Sequence, residues 1–170
     1  MCVMSRTESL AAEFERVSRE LVEYVSGLDR DQWLTPGVNS PIMTLGDEDE
    51  NRPVGTIAHH VAMGYGRSAQ GIATLVAGGQ LTAPQAGATA RHAAEHPEPD
   101  QAETIALLRK SGAAVAAAIR GLTEEQLDIE TNTFVGQTTV AGLIERAVIF
   151  HPVWHLTSIR ATLEPAEQPA

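Results

Sequence analysis

Apolar residues recur at three- and four-residue steps through most of this chain, and that period restricts it to amphipathic helices before any other property is weighed. Leu10, Phe14, Val17, Leu21, Val25 and Leu28 make one stripe, and Ile105, Leu108, Gly112, Val115, Ile119 and Leu122 make another. On a helix turning about 100° per residue each set falls on one face, and such a face has to be buried against a neighbour. Ser5 and Glu8 stand at capping-box spacing ahead of the first stripe, and Asp100 and Glu103 cap the second. Glu13, Arg16, Arg19, Glu20 and Glu23 occupy the outer face of the first helix and read as a solvated charged surface.

Two more helices complete the pattern. Pro53 suits a first helical turn, with Asn51 as a cap, and the Gly78-Gly79 pair marks the stop. The last apolar run begins near Val140 and carries Leu143, Ile144, Ala147, Val148, Trp154 and Ile159 on one stripe. The spacing therefore predicts main helices near 5–28, 53–77, 101–121 and 138–163. Residues 27–33 and 121–127 echo each other as Gly-Leu-Asp-Arg-Asp-Gln-Trp and Gly-Leu-Thr-Glu-Glu-Gln-Leu, and Val54-Gly55-Thr56-Ile57 and Val140-Ala141-Gly142-Leu143 follow them in order. Two helical hairpins of one design, joined by a Gly-, Ala- and Pro-rich crossover at 80–99 with a short helix at Ala88–Glu95, give an all-α four-helix bundle. Residues 133–140 read as a short extended piece. The expected organisation is a single domain, 1–170.

Composition narrows the partners. The chain is 43% apolar but only 4% aromatic, so a core of Ala, Val, Leu and Ile is expected. A formal charge of −10 without a basic cluster argues against nucleic acid and anionic membranes, and leaves a small molecule, a metal or a protein. Cys2 is the one cysteine, so no internal disulfide is expected and a reducing compartment fits. Charged residues begin at Arg6 and no uninterrupted apolar run approaches the roughly 20 residues of a membrane span, so the reading is cytoplasmic. The Asp47-Glu48-Asp49-Glu50 run lacks the spaced ligands and turn glycine of a calcium loop and reads as a solvated acidic loop.

Histidines supply the chemistry. His151 and His155 are four apart and share the inward stripe of the last helix, the spacing at which two imidazoles reach one ion. In the second helix Ile57, Val61, Gly64, Ser68, Ile72 and Leu75 cluster on one side, His60 lies about 60° from their centre, and His59 lies on nearly the opposite face. His60, His151 and His155 thus combine into three neutral ligands with a position left for water, the donor set of a catalytic ion rather than a structural one. Zinc suits them, and nickel, iron(II) or manganese would fit as well. The competing reading is three core histidines satisfied by backbone or water. His92 and His96 share the four-residue spacing too, but no apolar stripe carries them inward, and they are left outside the expected site. Gly64, Gly66 and Gly71 weaken the second helix, which points to something approaching it closely. Pro152 removes a donor in mid-helix, so a kink or bulge is expected beside His151.

The Val54-Gly55-Thr56-Ile57-Ala58-His59-His60-Val61 segment, the 121–127 turn and His151-x-x-x-His155-Leu156-x-Ser158-Ile159, in this order over nearly the whole chain, resemble the DinB-like (damage-inducible) superfamily of metalloenzymes. That resemblance implies a four-helix bundle with a long crossover, a divalent metal on His60, His151 and His155, frequent dimerisation, and thiol-dependent transferase or isomerase chemistry using mycothiol or bacillithiol.

The expected function is a metal-dependent enzyme bringing a low-molecular-weight thiol or water to a small electrophilic substrate. Its alternative is a non-catalytic metal-binding or stress-response protein. Position 152, the residue after the first histidine of the pair, is Pro rather than the Glu of a zinc protease, which excludes peptidase chemistry of that type. Tyr65, Arg67 and Trp154 lie near the site along their helices and shape a pocket, hold a substrate anion or simply pack. A homodimer is expected.

Overall fold

The structure, a computed structural model, describes residues 4–38, 51–134 and 136–164. Cys2 and the acidic run at 47–50 lie outside the described residues. The chain is predominantly helical, in the order α1 (Arg6–Ser26), α2 (Arg30–Leu34), α3 (Val54–Val76), α4 (Ala88–Glu95), α5 (Gln101–Arg120), α6 (Glu124–Leu127), β1 (Glu130–Thr133), β2 (Gly136–Thr139), α7 (Val140–Leu143), a π-helical turn (Ile144–Ile149) and α8 (Phe150–Leu163). The chain is all-α as expected apart from one short antiparallel ribbon, β1–β2, which pairs Glu130 with Thr139 and Thr133 with Gly136 and overlaps the extended piece expected at 133–140. Gly136 takes a φ of +91° at the turn, a conformation that a residue with a Cβ rarely adopts.

Both α1 and α3 pack on α5, and α8 packs on α1 and α3. Phe14, Leu21, Ile57, Leu108, Ile119, Ile144 and Ile159 are completely buried between them, each worth about 1.5–3 kcal/mol of transfer free energy. Tyr65 is also completely buried, edge-on to Phe14 with centroids 5.0 Å apart, so it packs rather than lining a site.

Local signals end the helices where they are needed. Ser5 Oγ accepts from the Glu8 N–H and Asp100 Oδ1 from the Glu103 N–H. Gln101 donates to the carbonyls of Val25 and Leu28, which the end of α1 would otherwise leave open. The repeated heptapeptide folds the same way twice: Asp29 with Gln32, and Thr123 with Gln126, each form a reciprocal capping box, and Trp33 and Leu127 turn inward. After α3, Gly78 adopts φ +81° and the Gly79 N–H returns to the Thr74 carbonyl, closing the helix.

Three features aim the elements that bear histidines. The Trp33 indole lies against Gly55 so closely that a Cβ there would collide with it, and its Nε1 donates to the Pro99 carbonyl at 2.8 Å. Thr35 and Gly37 pair with Val54 and Arg52, which holds the ends of the 38–51 connection together at the start of α3. Finally, the π-helical turn occupies Ile144–Ile149, just ahead of Pro152. Proline offers no N–H to the carbonyl four residues back and its ring crowds that carbonyl, so the backbone widens before α8 resumes. No helix among the described residues is long and apolar enough to cross a membrane.

Candidate metal centre

His60, His151 and His155 meet in space. One ligand nitrogen from each can be chosen so that all three lie within 4.8 Å of one another. The ring centroids stand 5.4 Å apart for His60 and His151, 5.0 Å for His60 and His155, and 4.7 Å for His151 and His155, with each pair of planes steeply inclined. Gly64 makes the approach possible, since a Cβ there would stand 2.5 Å from His151 Cε1 and 3.1 Å from Nδ1. Trp154 stacks on the far side of His155, with centroids 4.8 Å apart and planes 21° from parallel. His60 and His155 are buried, whereas His151 keeps an accessible edge.

Burial, foremost, holds His60 and His151 well below the ordinary imidazole value of 6.5. The neighbouring histidines and Arg52 add to this at both, and Arg67 at His151. Arg52 is itself 4% exposed, a buried cation at the edge of the group that periodicity did not single out. Imidazoles kept neutral at pH 7 have their lone pairs free for a metal. The donor set, three imidazoles and no carboxylate, fits a borderline transition ion such as zinc.

The other three histidines are the larger surprise. His59, His92 and His96 form a second group of the same kind, with ligand nitrogens again within 4.8 Å of one another. His59 does point away from the bundle interior, but α4 packs against that side of α3. His59 Nδ1 and His92 Nε2 are 2.9 Å apart, and ring centroids lie at 4.3 Å for His59 and His96 and 4.9 Å for His92 and His96. The buried Thr56 hydroxyl donates to the carbonyls of His96 at 2.8 Å and Pro97 at 3.2 Å, which pins the end of α4 to α3. Burial first, then His59 and His96, push His92 down to about 4, and burial and His96 lower His59. His60 and His92 touch edge to face at 5.5 Å, so every histidine of the chain belongs to one continuous cluster. His92 and His96, which periodicity left apart from the inward-facing histidines, are therefore brought beside them. The available signal was combinatorial: two four-residue pairs and one adjacent doublet, whose members point about 100° apart and can each serve one pair.

Two shallow clefts lie away from the histidines, one lined by Arg6, Thr138 and Arg146 beside the ribbon and one by Leu75, Gly79 and Ile129. Compared with known proteins, residues 13–159 match a family model described as the DinB superfamily. No curated protein and no solved structure gives a significant match.

Proposed function

The chain belongs to the DinB superfamily, and from that premise we propose that it is a divalent-metal-dependent enzyme that joins a low-molecular-weight thiol to a small electrophile, as a transferase or isomerase. The observation that carries this reading is the convergence of His60, His151 and His155, three imidazole donors from two helices. Such a set leaves the charge of the ion uncompensated and a coordination position available to a ligand from solution. A divalent ion held there supplies a positive charge that favours the anionic form of a thiol or water at neutral pH. Gly64 gives His151 its place and Trp154 fixes the ring of His155. Arg67 adds positive charge beside His151, which suits a substrate bearing a carboxylate or similar anion. Zinc is the first choice of metal, with nickel, iron(II) or manganese able to take the same ligands.

The packing of α1, α3, α5 and the α7–α8 rod supports reading the fold as a four-helix bundle with a long crossover. A homodimer belongs to the same proposal, and light scattering tests it. The second reading is a non-catalytic metal-binding protein, favoured by the deep burial of His60 and His155. Untagged protein reconstituted with zinc, then incubated with mycothiol, bacillithiol or glutathione and 1-chloro-2,4-dinitrobenzene, separates the two. Thioether formation that disappears in His151→Ala supports the enzyme. Tightly bound zinc without turnover of any thiol supports the binding protein.

A further inference from the structure

We propose that His59, His92 and His96 form a second metal site, which takes its own divalent transition ion beside the one held by His60, His151 and His155. The inference does not rest on the function proposed above, because it concerns residues of α3 and α4 that the first group does not use.

Geometry carries it. A tetrahedral ion with bonds of about 2.0–2.1 Å to nitrogen holds its ligand atoms about 3.3 Å apart. The closest pair here, His59 Nδ1 and His92 Nε2, stands at 2.9 Å, and the ligand nitrogens of all three residues lie within 4.8 Å. Small side-chain rotations therefore complete the shell without moving the backbone. The backbone is already held, since His92 and His96 are one helical turn apart on α4 and Thr56 ties the His96 carbonyl to α3.

Chemistry points the same way. Three imidazoles packed against one another have few partners to offer: they share the one His59–His92 contact, and His92 Nδ1 is buried with no hydrogen bond among the described residues. Without an ion, that packing desolvates ring nitrogens for little return. With an ion, the lone pairs have a use, and the partial exposure of all three residues leaves a route from solvent and room for water ligands. Three imidazole nitrogens with no carboxylate in the group select ions that bond strongly to imidazole, such as zinc, nickel, cobalt or copper, over magnesium or calcium, which prefer oxygen.

The test is metal stoichiometry on the untagged full chain, stripped with chelator and titrated with zinc by calorimetry, with elemental analysis after gel filtration. Wild type should retain two equivalents, His59→Ala and the His92→Ala/His96→Ala double variant one each, and His151→Ala one. Cobalt titration should show two separable visible bands in wild type, with a different one lost in each class of variant. A single equivalent in wild type that persists in the double variant overturns the second site. A single equivalent lost in both classes means one shared ion and overturns it equally. A single equivalent lost only in the double variant upholds this site and removes the first one instead. Circular dichroism of the double variant guards against misfolding, and His92→Gln/His96→Gln, which keeps the polarity of α4, repeats the measurement if the alanine form is unfolded.

Discussion

Gly64→Ala isolates what the approach of α8 to α3 requires. By helix propensity alone the change stabilises α3 by about 1 kcal/mol. Against this, the new methyl would stand 2.5 Å from His151 Cε1, 3.1 Å from Nδ1 and 3.6 Å from Nε2, whereas carbon atoms in contact settle at about 3.5–4.0 Å. The ring must withdraw by about 1 Å, or the helices must part, and overpacking of this kind costs about 1–3 kcal/mol. The balance of the two leaves the metal-free protein between unchanged and about 2 kcal/mol less stable. Metal binding has no such compensation, since ligand positions tolerate only about 0.2 Å. Displacing His151 should weaken zinc at least about 100-fold, or about 2.7 kcal/mol. At a zinc concentration 1,000 times the wild-type dissociation constant, stabilisation by the metal should drop from about 4.1 to about 1.4 kcal/mol. In a domain of this size that removes about 5–10 °C from the metal-induced rise in Tm. Thermal denaturation of untagged protein with and without zinc, and chelator competition for the affinity, measure both quantities. Gly66→Ala is the matched control: two residues along the same helix, a Cβ meets nothing within 4 Å, so it should gain stability and keep its zinc. Equal zinc affinity in Gly64→Ala and Gly66→Ala would refute the placement of the His151 ring against α3.

Thr56→Val removes the donor shared by the His96 and Pro97 carbonyls and should cost about 1–3 kcal/mol in urea unfolding, with Thr56→Ser recovering most of it. Metal-free protein should lose stability as pH falls below 6.5. Folding lowers the proton affinity of His60, His92 and His151 from that value, so the unfolded chain binds more protons below it, whereas above it both forms are neutral and the effect vanishes. Each buried histidine contributes up to about 1.4 kcal/mol per pH unit, and the half-exposed His92 less; urea midpoints that stay flat from pH 7.5 to 5 contradict this. Arg120→Ala breaks the contacts to Glu8 and Glu15 that tie α5 to α1. Because all three side chains are more than a third exposed, the loss in urea unfolding should be small and shrink further in high salt.

The readable and unreadable parts of this chain divide by where the information lies. The stripes of α1, α3, α5 and α8 are properties of single helices, so Phe14, Ile57, Leu108 and Ile159 declare their burial by spacing alone. Pro152 likewise carries its own consequence, because a missing N–H must distort the backbone near it whatever the helix packs against. His60, His151 and His155 needed only that α3 and α8 face each other, which their apolar stripes already demand. His59 is different. Its direction on the wheel is away from the interior, and only the docking of α4, a helix of eight residues with none fully buried, turns that direction into half-burial among His92 and His96. What docks α4 is not a stripe but a hydroxyl of α3 reaching backbone carbonyls 40 and 41 residues away, and hydrophobic periodicity is blind to such a contact. The His59-His60 doublet is therefore informative for a reason unrelated to either residue's own burial: two adjacent side chains diverge by about 100°. One helix can thus present an imidazole to each of two neighbours that do not touch the same face, and α3 packs against both α4 and α8.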